Sequence, residues 1–144
     1  MYRRPESVLV LVYTRQSHVL LMERADIPGF WQSVTGALKP DELTQHAAAR
    51  ELLEETGINE QPTDHHYSTQ FEIAGPWRAR YHPQDTHNTE HVFSLRLGEE
   101  HAIALNPSEH TDYIWLPVQQ AMNKVTSPTN RQAIEKVLLT SGNP

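Results

Sequence analysis

Cysteine is absent from the 144-residue sequence, which excludes disulfides and thiolate metal sites outright. Positive charge is scarce: 12 lysines and arginines against 18 aspartates and glutamates leave a formal net charge of −6. Such a balance lacks the basic footprint of a nucleic-acid binder. To bind a polyanion, the chain needs a local cation, from a metal or from a few placed arginines. Long apolar runs are missing as well. The uninterrupted run near the N-terminus, Val8–Tyr13, has six residues, too short for a secretory h-region and far below the roughly 18 residues of a membrane span. The expectation is a soluble, cytoplasmic protein with neither membrane nor nucleic acid as a partner; its oligomeric state is not legible. Linkers, repeats and low-complexity tracts are also lacking, so residues 1–144 read as one domain, long enough to bury a core without staples.

What is present reads as mixed α/β. Val8–Tyr13 predicts a strand buried on both faces. His18–Glu23 predicts a second strand, joined to the first through the polar turn Thr14–Ser17 as a hairpin. Asp26–Gly29 is a loop, and Phe30–Thr35 is a short β-leaning segment. A helix is predicted over 43–56 from Ala47, Ala48, Ala49, Leu52 and Leu53, stopped by Gly57. Phe71–Ile73 and His91–Leu97 predict strands, with a long breaker-rich loop between them. Tyr113–Leu116 predicts a short strand. Pro117 opens a short helix to about Lys124. A last helix over Thr129–Leu139 places Ala133, Ile134, Val137 and Leu138 on one stripe. This order is not a run of βαβ units.

The first helix carries the informative chemistry. At 3.6 residues per turn, Glu51, Glu54 and Glu55 share one face, with Leu52 and Ala49 pointing the other way toward a core. The arrangement is locally unfavourable. Like charges at i,i+4 cost about 0.2–0.5 kcal/mol per pair, and carboxylates at a helix C-terminus cost about 0.3–1 kcal/mol each. Arg50 relieves only part of this. The remainder asks for a divalent cation such as Mg²⁺, which takes hard oxygen ligands and substrate phosphates. The plainer reading is a solvated acidic face.

The flanks decide between them. Gly36 is followed after five residues by Glu42, and after seven more by Arg50-Glu51. Then come Leu52, Glu54-Glu55, Gly57 and Ile58. This is a full match to G-x5-E-x7-R-E-U-x-E-E-x-G-U, with U aliphatic, which arises by chance on the order of 10⁻⁹ per starting position. On these residues the chain resembles the Nudix hydrolases over its whole length. The resemblance implies an α/β/α sandwich around a mixed β-sheet. It implies hydrolysis of a nucleoside diphosphate linked to a further moiety, with Mg²⁺ or Mn²⁺ as cofactor. By position, Glu51 and Glu55 would hold metal, Glu54 would act as a further ligand or as the catalytic group working through water, and Arg50 would orient the carboxylates. The Gly36 carbonyl would reach the metal. One departure is Pro40-Asp41-Glu42, where many such boxes have glycine before the early glutamate.

Outside the box, YRRP (2–5), FWQSVTG (30–36), FEI (71–73), RYHP (80–83), NTE (88–90), SEH (108–110) and NRQAIE (130–135) resemble a branch of that family. Its members release pyrophosphate from 7,8-dihydroneopterin triphosphate, a small-molecule triphosphate. That resemblance implies Glu109 as a further metal ligand, with His110 facing the substrate. Arg3 and Arg24 would contact phosphate or the pterin side chain. Thr35 would line the pocket, Phe71, Glu72, Ile73 and Ala74 would form one wall, and Ser127 would touch substrate. Glu72 could accept two parallel hydrogen bonds from the pterin N–H donors. The competing readings stay open: Arg3 and Arg24 as surface arginines, Phe71 and Ile73 as core, Trp31 and Trp77 as space-fillers. Arg78 and Arg80 reach the triphosphate from the long loop or are solvated. The rival functions are a pyrophosphohydrolase of dATP or oxidised purine triphosphates, and a Nudix-fold module that binds without cleaving.

Overall fold

The six-residue apolar run becomes the centre of a sheet because both of its faces are covered. In the computed structural model, which describes residues 2–140, it lies within β1 (Glu6–Thr14). The chain continues through β2 (His18–Arg24), β3 (Trp31–Gln32), β4 (Val34–Ala37), α1 (Thr44–Thr56) and β5 (Thr63–Glu72). A 3₁₀ helix (Gly75–Arg80), β6 (His87–Leu97), β7 (His110–Pro117), α2 (Val118–Lys124), α3 (Pro128–Ile134) and a π-helical turn (Glu135–Thr140) follow. The ends of the expected domain, Met1 and residues 141–144, lie outside the described residues.

β1 runs parallel to β6 over its whole length, from Glu6 opposite Thr89 to Thr14 opposite Leu97. Its other edge is shared. β4 pairs with residues 7–10, and β2 meets it only at Tyr13 opposite Val19. β2 carries β7 and β3, and β5 closes the far edge beyond β6, all antiparallel. Val8, Val10 and Val12 point to one core with Ala47, Ala48 and Leu52 of α1. Leu9 and Leu11 point to the other, with Ala121, Met122, Ala133 and Ile134 of α2 and α3. A strand with helices on both faces has no solvent side, which is why its apolar residues run on instead of alternating. The α/β/α sandwich around a mixed sheet is therefore present as expected.

β6 begins at His87 instead of His91 and β7 at His110 instead of Tyr113, and two further elements differ from the sequence reading. β5 spans Thr63–Glu72, not 71–73 alone. Its sequence, TDHHYSTQFE, is polar because it is an edge strand, and a bulge between Asp64 and Tyr67 breaks its period. His66, inside that bulge, has φ +51°. The last helix is α-helical only over Pro128–Ile134 and then widens to π-type bonding. Ala133, Ile134 and Val137 of the expected stripe are nevertheless buried.

Among the buried polar residues, one is an acid on a central strand away from the α1 cluster. Glu90 on β6 is 6% exposed, and its Oε1 has no hydrogen-bond partner among the described residues. Burial pushes its carboxyl up to about 7 from an ordinary 4.5, against a lowering hydrogen bond to Thr35. The folded state thus retains a proton that the unfolded chain loses. Stability falls as pH rises from about 4.5 to about 7, and a shift of that size corresponds to about 3 kcal/mol. Glu90→Gln, which is neutral throughout, is expected to stabilise the protein at pH 8 and to make little difference at pH 4.5. Urea denaturation at the two pH values measures this; equal effects at both would rule out the buried neutral acid.

Candidate active site

The inner stripe of α1 starts apolar and ends acidic. Ala47, Ala48 and Leu52 face the core, and Glu51 and Glu55 continue the same stripe. This corrects the expectation of an acid face opposite a buried one. Ala48, Glu51, Leu52 and Glu55 follow i, i+3, i+4, i+7 spacing, so one side of the helix carries them all. Glu51 is 8% exposed and Glu55 is 0% exposed. Glu54, turned 100° from Glu55, is exposed. The three carboxylates are thus two inside and one out.

Burial raises the carboxyls of both inner residues, Glu55 well above the ordinary range. The two carboxyls interact closely, and adjoining carboxyls disfavour a second charge, so without a cation the pair favours holding a proton. Glu55 Oε1 accepts from the Thr35 N–H at 3.4 Å. Its Oε2 is buried with no hydrogen-bond partner among the described residues.

Arg50 organises the outer half of the cluster. Its guanidinium bonds Glu42 twice, at 2.8 and 2.9 Å, Glu51 at 2.8 Å and Glu54 at 3.2 Å. It also donates to the Ala37 carbonyl at 3.1 Å. The Arg50 bonds lower Glu42 to about 2, so the Arg50–Glu42 pair is ionised at neutral pH. Gly36 makes the close approach possible: a Cβ there would overlap the carboxyl carbon of Glu51 and both its oxygens. The box departure has a local explanation. Asp41 adopts φ +60°, the left-handed conformation that glycine fills most easily and that Asp tolerates better than most residues.

A second shelf comes from β2, β3 and β7. His110 is 3% exposed, lies 4.0 Å from Glu55 Oε1, and meets the Gln32 amide nitrogen at 3.1 Å through Nε2. Burial, then the nearby Arg24 charge, lowers its imidazole to about 4, so it is neutral. It is a buried neutral neighbour of Glu55. Arg24 grips Asp26 with two bonds, at 2.8 and 2.7 Å, and its guanidinium lies 5.6 Å from the ring centroids of both Phe30 and Trp77. Trp31 is likewise engaged, with Lys124 Nζ 4.5 Å from its ring centroid. Glu109 is exposed; its carboxylate accepts from Asn106 Nδ2 at 3.2 Å, and its charge is felt at Glu55 and at Arg24.

The other expected contacts are scattered by comparison. Thr35 is half-buried and donates its hydroxyl to the Val8 carbonyl at 2.9 Å. Phe71 is half-buried, Ile73 is in the core, and Glu72 and Ala74 are exposed. Ser127 caps α3, accepting from the Asn130 N–H at 3.4 Å. Arg3 lies in a separate cavity with Arg80. Sequence reasoning missed Gln32, Glu90 and the Ser33–Asn130 pair, whose Ser33 N–H to Asn130 Oδ1 bond is 2.9 Å. The available signal was polar residues inside short apolar strands.

The residues present fit a divalent cation. Two carboxylates meet in one buried spot, one of them with an unsatisfied atom, and burial raises both. Among the described residues no three His, Cys, Asp or Glu side chains are gathered into a cage. Ions held by one or two carboxylates plus water and substrate phosphate need none.

A model of the NUDIX domain matches residues 3–137. The dihydroneopterin triphosphate diphosphatase of Escherichia coli K12 is 41% identical over 146 aligned positions, covering 97% of this chain and 96% of that protein. Its namesake from Haemophilus influenzae is 40% identical over 143 positions, covering 95% and 89%. The solved structure of the E. coli dihydroneopterin triphosphate pyrophosphohydrolase superposes with a TM-score of 0.89 at 39% identity, covering 96% of this chain and 98% of that one.

Proposed function

The chain belongs to the NUDIX family of hydrolases, and from that premise we propose that it hydrolyses 7,8-dihydroneopterin triphosphate to the monophosphate and pyrophosphate, with Mg²⁺ as its metal. The observation that carries the chemistry is the buried Glu51–Glu55 pair with its unsatisfied Glu55 oxygen. Near full-length similarity to two dihydroneopterin triphosphate diphosphatases supports the choice of substrate.

In this reading Glu51 and Glu55 hold the metal, and Glu109 joins them from the turn just before β7. When bound, a divalent ion neutralises oligophosphate charge and makes a bound water more acidic. The protein's own groups do the rest. Glu54, exposed beside the pair, takes the proton from the attacking water. Arg50, locked by Glu42, fixes Glu51 and Glu54 relative to each other. The Thr35 N–H fixes Glu55. Neutral His110 and Gln32 support Glu55 from below without adding a charge that would compete with the cation. Arg24, fixed by Asp26 and close to the Phe30 and Trp77 rings, presents its guanidinium to phosphate. Arg3, Phe71, Glu72, Ile73, Ala74 and Ser127 bind the remainder of the substrate, with Glu72 at the exposed rim.

A comparison of kcat/KM for dihydroneopterin triphosphate, dATP and 8-oxo-dGTP tests the substrate. The pterin compound is expected to lead by an order of magnitude or more. Preference for either purine triphosphate would move the protein to the nucleotide pool while leaving the metal chemistry intact.

A further inference from the structure

On one face of β1 and β6 the core changes character. Leu9, Leu11 and Val92 belong to the apolar cluster that α2 and α3 cover. Further along the same face, the alternation of a strand brings Ser7 on β1 and Glu90, then Asn88, on β6. Ser7 lies opposite Glu90, and Asn88 Nδ2 donates to Ser7 Oγ at 2.8 Å, in keeping with one shared side of the sheet. Across the next ladder, Thr69 lies opposite Glu90 and Phe71 opposite Asn88. Ser7, Asn88 and Glu90 are buried. Thr35, Thr69 and Phe71 are half-buried and form the margin of this polar floor.

Hydrogen bonding within the floor is incomplete at one atom. Asn88 and Ser7 serve each other. The Glu90 carboxyl has a hydrogen bond to Thr35, but its Oε1 is buried with no partner among the described residues. A buried acceptor without a donor is costly, and an apolar side chain at position 90 would avoid that cost. An acid kept there calls for a donor from outside the chain. Thr35 connects the floor to the site of chemistry. Its N–H donates to Glu55 Oε1 at 3.4 Å, so Glu90 and Glu55 meet the same residue.

We propose that Glu90 sets substrate specificity: its carboxyl accepts the ring and amino N–H donors of the substrate's heterocycle, beside Phe71. This rests on the reading that a heterocyclic triphosphate is cut at Glu51 and Glu55. The chemistry recognised is an adjacent pair of N–H donors, as on a 2-amino-4-oxopyrimidine ring. Dihydropterin and 8-oxoguanine both carry that edge. Adenine, with an amino donor next to a ring acceptor, does not. A carboxylate accepts two parallel N–H bonds. A site built to hydrogen-bond a polar edge rejects an analogue lacking it more strongly than an apolar pocket rejects a misfit.

The test measures kcat and KM of wild type, Glu90→Gln and Glu90→Leu on dihydroneopterin triphosphate, 8-oxo-dGTP and dATP. Wild-type preference among the three decides the substrate, and the ratio of variant to wild type decides Glu90, so either reading can fail alone. Glu90→Gln is expected to lower kcat/KM about 30-fold on the two substrates with the donor edge, the scale of a lost hydrogen bond to a charged group. The loss is expected mainly in KM, because the heterocycle is remote from the cleaved bond. Glu90→Leu, which accepts no hydrogen bond, is expected to lose at least as much. With dATP both variants are expected to stay near wild type, which a general loss of packing would not allow. A parallel loss on dATP, or wild-type KM on both donor-edge substrates, would overturn the proposal.

Discussion

Glu55→Gln is expected to lower kcat for pyrophosphate release by about 10³-fold, the upper end of what one preorganised electrostatic group contributes, while leaving the protein folded and no less stable. The two halves of that expectation share one cause. Glu55 is 0% exposed, and burial with the neighbouring Glu51 drives its carboxyl far above the ordinary range. In the absence of a cation its burial favours the protonated, neutral form. Gln is neutral and of the same shape, and it still accepts from the Thr35 N–H and bonds Glu51. What Gln cannot do is become an anion when a cation arrives. Activity and stability therefore separate, and measuring both on one variant distinguishes a ligand from a packing residue. Full Mg²⁺-dependent turnover by Glu55→Gln would remove Glu55 from the metal site.

Gly36→Ala carries the second large effect, by another route. The added Cβ would overlap the carboxyl end of Glu51. That end is the tip of a flexible side chain, so it can swing away, and the cost in stability stays near or below the roughly 1–3 kcal/mol of a crowded core. Swinging away breaks its contacts with Arg50 and Glu55. A displacement of about 1 Å in a reacting group can cost on the order of 10²-fold in rate, and a fall in kcat of that size is expected. Gly98→Ala serves as the control, because a Cβ there meets nothing within 4 Å. Equal activity of the two alanine variants would mean that the Glu51 position does not matter to turnover.

Much of this was legible in the sequence where the signal was local. The helix over 44–56, its stop at Gly57 with φ +80°, and the buried run of β1 follow from residues adjacent in the chain. So does the box spacing that brings Gly36 against Glu51 and Arg50 against Glu42. The orientation of α1 was not legible. A pattern reader turns glutamates outward, whereas Glu51 and Glu55 point in, and a site that binds charge is where such a rule is expected to fail. β5 was shortened in the reading because an exposed edge strand needs no apolar face. Gln32 and Glu90 were passed over because their partners, His110 and Thr35, come from other strands. Ser127 also caps α3 with its hydroxyl, a role no sequence pattern near it announced.

On the proposed reading, the buried Glu51–Glu55 pair acts only with a divalent ion bound. Pyrophosphate release from dihydroneopterin triphosphate, measured first in excess EDTA and then after Mg²⁺ is restored, tests it most directly. The prediction is turnover at background in EDTA and full recovery with Mg²⁺. A rate in EDTA equal to the rate in Mg²⁺ would contradict it.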